Sequence, residues 1–316
     1  ENRLGMSDEF WVVLPAAIQE ELLNAQDNPF KILVGQMKPT TATACAQEVA
    51  SFFTEDCKRT GKKAGLVLLP QNVIETFLMS DITHLLPSET GCASHGVVPD
   101  ELTKMAEVAK ENSIYIVCGS MQEPKDEKFY TTTVVIGPDG QGVGAYRKRV
   151  IDNPRIELKG DRPFLFTVPG VGKAAVLTCY DAEDESLRDE ALGLGARCIL
   201  NPTRKPGPPG QDQEKCAKIR QAALNRMAES FTHICNNHSI TCVRCDLPGP
   251  ELGVGSSQVI GPEITHRACG MDVEILPVCL WPSPMSSGRV PLFARTPQGS
   301  IDSKHNCGSR CMVSSA

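Results

Sequence analysis

The chain has 316 residues, 41% of them hydrophobic and 22% charged, with a net charge of −6 and a pI near 5.6. That is enough material for one large α/β core or two small ones. The acidic balance supplies no basic stripe, which excludes nucleic acid and anionic membrane surfaces as expected partners. The longest apolar runs, 65–70 and 174–178, fall far short of the roughly 20 residues of a bilayer span, so no transmembrane segment is expected.

In chain order, Lys31 to Met37 reads as a strand and Thr43 to Lys58 as a helix, with Ala46, Val49, Phe53 and Cys57 at helical spacing. Gly65 to Leu69 is the next strand. Pro99-Asp100-Glu101 opens a helix to Asn112, with proline and acids at the end where N–H groups lack partners. Ile114 to Gly119 is a strand, and Thr131 to Ile136 with Gly142 to Tyr146 a hairpin around Pro138-Asp139-Gly140. Phe164 to Val168 and Lys173 to Thr178 pair around Gly170 to Gly172, a turn that lacks the full phosphate-loop pattern. Helix Glu185 to Leu194, strand Arg197 to Leu200 and helix Gln213 to Phe231 follow. Strands Thr232 to Asn236, Ile240 to Cys245 and Ser256 to Ile260 close the series. Strands alternating with helices predict a layered α/β fold, two sets of strands sandwiched by helices.

Fourteen cysteines are spread through these elements rather than packed into a short loop-rich chain, so most are expected free and buried. An intracellular reducing compartment, cytoplasm or organelle matrix, is the expectation, and the start at Glu1 leaves room for a removed leader. Strand alternation sends Cys242 and Cys245 to opposite faces, unlike a zinc knuckle, and the six histidines include no helical metal-binding pair. No metal or other cofactor is expected.

The chemistry-bearing segments are 66–71 (LVLLPQ), 144–148 (GAYRK) and 174–181 (AAVLTCYD). A cysteine leaving a buried strand and entering a helix at once sits on a sharp turn, its sulfur presented to a cleft. Cys179 is therefore the candidate nucleophile, and the backbone N–H of Tyr180 a candidate oxyanion donor. An ammonium beside it, that of Lys148, would stabilise the charge of a tetrahedral intermediate. The order and spacing of these segments resemble the nitrilase superfamily of carbon-nitrogen hydrolases, whose glutamate, lysine and cysteine converge in space. Gln36-Met37, the run from Val135 to Gly140, Asn201-Pro202-Thr203 and Ser257 to Pro262 extend the resemblance over about residues 30–284. It implies a four-layer αββα sandwich, a homo-oligomer, and no cofactor.

Two departures stand out. The general-base glutamate of the family reads Gln71, a degenerate position, because a carboxamide can neither take the thiol proton nor return it to a leaving amine. Glu75, a helical turn further on, would stand roughly 5 Å off. Seven residues before Gly160, where the resemblance implies a second glutamate, the count reaches Asn153, with Glu157 in the same loop but out of register. Outside the domain lie an N-terminal extension, 1–29, with an apolar cluster Phe10 to Val13, and a tail, 285–316. Two functions follow. One is an active thiol amidohydrolase on a small amide or nitrile, through a Cys179 thioester. The other, which the two losses favour, is a catalytically impaired homologue kept as an oligomerising or structural subunit of a larger assembly.

Overall fold

The computed structural model describes residues 30–75, 77–78, 80–206, 212–249, 252–262, 267–268, 274–282 and 292–295. The expected N-terminal extension, the 207–211 loop tip and most of the tail lie outside them.

The alternating apolar runs form two sheets. The first contains β1 (Phe30–Gln36), β2 (Leu66–Leu68), β3 (Tyr115–Lys125), β4 (Lys128–Ile136), β5 (Gly142–Arg147), β6 (Glu157–Leu158), β13 (Glu274–Pro282) and β14 (Leu292–Arg295). Its order is β14-β13-β1-β2-β3-β4-β5, with β6 beside β4. The second runs β12 (Arg267–Ala268), β11 (Gln258–Ile260), β10 (Thr241–Cys245), β9 (Ala196–Pro202), β8 (Gly172–Val176) and β7 (Leu165–Val168). β14 pairs with β13 from within the segment expected as tail.

Strand alternation decides the layers. Leu33, Val67, Leu69, Ile116 and Val134 pack outward against helices α1 (Ala42–Thr60) and α2 (Thr103–Asn112), which present Val49, Phe53, Met105 and Ala109. Their strand neighbours Ile32, Val34, Leu66, Leu68, Val117 and Val135 join Val176 and Val243 of the second sheet in the central core. On the far side, Ala191 of α3 (Glu185–Gly193) meets Ala175 and Ala196. There α4 (Gln213–His238) contributes Met227, Phe231 and Cys235. The result is the expected αββα sandwich.

One expected strand is helical. Residues 232–236 continue α4, because Leu224, Met227, Phe231 and Cys235 extend a buried stripe at helical spacing, which outweighs the β-branched Thr232 and Ile234. The helix ends only at Ser239, in the left-handed conformation at φ 49°, whose N–H bonds to the Cys235 carbonyl. His233 accordingly lies on a helix surface, 2.7 Å from Asn237. Ten cysteines are free in the described residues, eight of them buried. Among the described residues, no helix is long and apolar enough to cross a membrane, and no cluster of metal-ligating side chains occurs.

Candidate active site

Gln71 follows β2, Lys148 follows β5 and Cys179 follows β8, so all three leave their strands at the C-terminal end. Each is fixed by backbone. Gln71 and Asn72 form a tight turn, Asn72 at φ 58°, a left-handed conformation asparagine tolerates. Gly119 lies in an irregularity of β3, and a Cβ there would meet the Pro70 carbonyl at 2.0 Å. Only glycine lets β3 approach this turn. Glu75 is exposed, its N–H spent on the Thr40 carbonyl, and does not substitute for Gln71.

Cys179 is held at φ 54°, strained backbone for a residue with a side chain, and is 3% exposed. Asn201, at the end of β9, holds this elbow in place: its Nδ2 donates to the Leu177 carbonyl and, at 3.1 Å, to the Cys179 carbonyl. Two residues on, the Thr203 carbonyl accepts the Gln71 N–H at 3.1 Å. The end of β9 thus ties together the two positions that sequence places 108 residues apart.

Lys148 is fully buried. Its Nζ donates to Asp152 Oδ2 at 2.6 Å and lies 3.9 Å from Glu157 Oε1. Burial pushes the ammonium's pKa down, yet the Asp152 hydrogen bond and the charges of Cys179, Glu157 and Asp152 outweigh it and leave the pKa raised. The lysine is a committed cation beside the cysteine.

Of the two positions this loop offers for a second carboxylate, Glu157 is the one that lies beside Lys148. Asn153 is exposed, its side-chain oxygen accepting the Arg155 N–H and its carbonyl the N–H groups of Ile156 and Glu157. This turn shortens the path of the loop and swings Glu157 inward. There Glu157 is 6% exposed and accepts Thr131 Oγ1 at 2.6 Å and the Asp152 N–H at 3.0 Å. Gly160 itself closes against Lys148, whose carbonyl accepts its N–H; a Cβ there would strike the Arg147 carbonyl at 2.1 Å.

Sequence reasoning missed Asp181. Fully buried, it accepts Tyr146 Oη at 2.7 Å and the N–H groups of Arg149 and Val150 at 3.0 and 2.6 Å, lashing the cysteine turn to the lysine loop. Burial raises its pKa to about 6, against the pull of Tyr146 and the two N–H groups. Since an unfolded aspartate titrates near 3.9, the protonated form is favoured in the fold. Its contribution is fully present below about pH 4 and lost as pH rises through 6. Urea denaturation should show wild type losing about 3 kcal/mol between pH 4 and 7 relative to Asp181→Asn, which cannot titrate. Parallel pH profiles for the two proteins would exclude this.

Tyr180, next to Cys179, is 37% exposed, with Lys205 Nζ 3.6 Å from its ring centre. Lys205 pairs with Glu183 at 2.7 Å, and buried Arg244 approaches the same carboxylate at 3.8 Å. Lys205 is thus an inward-facing lysine already matched by a carboxylate. A cavity of about 290 Å³ lined by Cys92, Tyr115, Val143 and Lys173 lies elsewhere. Val143 and Lys173 stand near the N-terminal ends of β5 and β8, opposite to Lys148 and Cys179, so it takes no part in this site.

Fold and site define the class, and comparison with known proteins agrees. The carbon-nitrogen hydrolase family model matches residues 31–266, and the chain belongs to that family. Among its relatives, human omega-amidase NIT2 is 50% identical over 52 residues, 16% of this chain and 19% of that protein. Omega-amidase NIT2-B of Xenopus laevis is 33% identical over 117 residues, 33% of this chain and 42% of its own. The matches therefore span less than half the length of these relatives. The fold is shared with Saccharomyces cerevisiae Nit3, of branch 10 of the nitrilase superfamily, at a TM-score of 0.59 and 18% identity, covering 82% of this chain and 92% of that one. It is shared too with an amidase from Nesterenkonia sp. AN1, solved as a glutamate-to-glutamine mutant carrying the acetamide moiety of fluoroacetamide on its active site cysteine. Here the TM-score is 0.57 and identity 20%, covering 80% and 91%.

Proposed function

We propose that the protein is a thiol-dependent carbon-nitrogen hydrolase acting on a small amide, with Cys179 as nucleophile, Lys148 and the Tyr180 N–H as oxyanion stabilisers, and Glu157 as the carboxylate that positions the lysine. The observation that carries this is the buried Lys148 ammonium, held by Asp152 and Glu157 and charge-coupled to a cysteine in strained backbone. A chain free of catalytic demand has no reason to keep that strain together with a buried cation. Sulfur attack on the carbonyl forms the tetrahedral oxyanion, and expulsion of the leaving group gives the thioester. Donors whose leaving group needs no proton acylate readily. Ordinary amides turn over slowly, because Gln71 cannot hand the nitrogen its proton.

The relatives' activities support a hydrolase over the structural subunit, a reading that rests on the replacements at Gln71 and Asn153. The Nesterenkonia mutant supports it further, since that amidase carries a covalent adduct on its cysteine in glutamate-to-glutamine form. The test is intact-mass and peptide analysis after brief exposure to p-nitrophenyl acetate. Cys179 is expected to acylate ahead of Cys92, an exposed thiol, and Cys179→Ala to abolish the fast phase. Preferential acylation of Cys92 would remove the nucleophile assignment.

A further inference from the structure

The cavity at the end of the sandwich opposite the cysteine and lysine turns has a volume of about 290 Å³, at the small end of ligand-sized pockets. A strap, residues 88–96, closes it by joining both sheets. The Gly91 carbonyl accepts the Leu165 N–H of β7 at 2.9 Å, and Gly96 exchanges both backbone hydrogen bonds with Gly142 of β5, at 2.8 and 3.0 Å. Tyr115 and Phe166 give the cavity an aromatic wall, their ring centres 5.8 Å apart. Cys92 of the strap, Thr167 and Lys173 also line it. Thr167 and Lys173 stand directly opposite each other on β7 and β8, so they share a face.

Cys92 is the one exposed thiol among the described cysteines, and its sulfur ends a directed chain of hydrogen bonds. The Cys92 N–H donates to Ser88 Oγ at 3.2 Å, Ser88 Oγ lies 2.9 Å from Thr90 Oγ1, and Thr90 Oγ1 donates to Cys92 Sγ at 3.5 Å. Thr90 spends its proton on sulfur, so Ser88 donates to Thr90 and each bond polarises the next. A sulfur held as an acceptor is drawn toward the thiolate. The Thr90 bond leads in holding this thiol below the ordinary cysteine range, against desolvation, with Ser88 and the charge of Lys173 adding to it. Burial instead pushes the thiols of Cys45, Cys118, Cys198, Cys235 and Cys242 up. Among the described residues Lys173 Nζ has one hydrogen-bond partner, the Leu194 carbonyl at 2.9 Å, which leaves its charge and two N–H groups for a ligand.

We propose that this cavity is a thiolation site, where Cys92 exchanges with an acidic low-molecular-weight disulfide whose retained half occupies the cavity with a carboxylate on Lys173. The Cys92 thiolate attacks one sulfur of the reagent. The reagent's S–S bond breaks as the new one to Cys92 forms, and the other half leaves as a thiolate. No electron is gained or lost overall, and a dithiol reverses the step. The exchange passes through no tetrahedral oxyanion, so it needs none of the groups around Cys179. That cysteine, 3% exposed in its turn, is screened from so bulky a reagent.

The experiment mixes the reduced full chain with glutathione disulfide or, in parallel, with the neutral 2-hydroxyethyl disulfide, quenches in acid and maps the adducts by peptide mass. Cys92 is expected to take up the glutathionyl group ahead of half-buried Cys57 and of Cys179, and to lose it to dithiothreitol. Its rate in the fold should exceed that in the urea-unfolded chain by about 5- to 10-fold. Thr90→Val should slow both reagents by about 2- to 5-fold, the effect of one lost hydrogen bond. Lys173→Gln should slow glutathione disulfide about 2- to 5-fold more than the neutral reagent, the range of an exposed ion pair. Thr167→Trp, at an exposed strand position, should obstruct the larger reagent selectively. First uptake at Cys57 or Cys179, or a Cys92 rate no higher in the fold than in the unfolded chain, would overturn the proposal. So would an unchanged ratio of the two reagents in both Lys173→Gln and Thr167→Trp, since Cys92 would then be an exposed thiol with no seat for the incoming group.

Discussion

Gln71→Glu is expected to raise the rate of ammonia release from a small primary amide by about 10² to 10⁴-fold, the usual contribution of a general acid-base group, or roughly 3 to 5 kcal/mol of barrier. The change is isosteric and adds no bulk to a 9% exposed position whose Oε1 has no partner to lose. What it adds is a group that can accept the thiol proton and return it to the departing nitrogen. Acylation by p-nitrophenyl acetate, whose leaving group departs as an anion, should rise much less. That contrast makes the prediction specific to proton transfer. Cys179→Ala in the glutamate background should silence both reactions. A glutamate variant as slow on amides as wild type would mean that residue 71 does not address the leaving group, and the acid-base assignment would fail.

Much of this site was legible in the sequence for a physical reason. Gln71, Lys148 and Cys179 each follow an apolar run of strand length, and strands of a layered sheet deliver their C-terminal ends to one side. Lys148 and Cys179 stand out in the sequence through these strand ends together with the resemblance to the nitrilase superfamily. Two kinds of feature stayed hidden. Glu157 depends on a turn that begins at Asn153, and the sequence shows the carboxylates without showing how many residues a turn absorbs. Asp181 looks like an ordinary helix-start acid, and only its burial against Tyr146, Arg149 and Val150 reveals the strap between two loops. The run 232–236 was misread for a related reason: its β-branched residues favour a strand locally, while Phe231 and Cys235 need the far layer's core, which only tertiary packing supplies.

Lys148→Met should cost about 10² to 10³-fold in acylation of Cys179, as removal of one oxyanion-stabilising group does. Two readings of the lysine can then be separated. If it holds the oxyanion, acylation by p-nitrophenyl acetate falls far more than alkylation by iodoacetamide, which passes through no tetrahedral intermediate. If it serves only to stabilise the thiolate, both fall together. The substitution has a structural consequence as well, because it leaves buried Glu157 without its cation. Breaking a buried pair costs up to about 3 to 5 kcal/mol; the Thr131 hydroxyl and Asp152 N–H, which Glu157 keeps, place this site toward the lower end. Adding Glu157→Gln to Lys148→Met removes the stranded charge and should restore most of the lost stability while leaving acylation at the level of the single variant. If the double variant instead recovers acylation along with stability, Lys148 is a folding element whose loss disorders the cysteine turn, and its place in the chemistry is disproved.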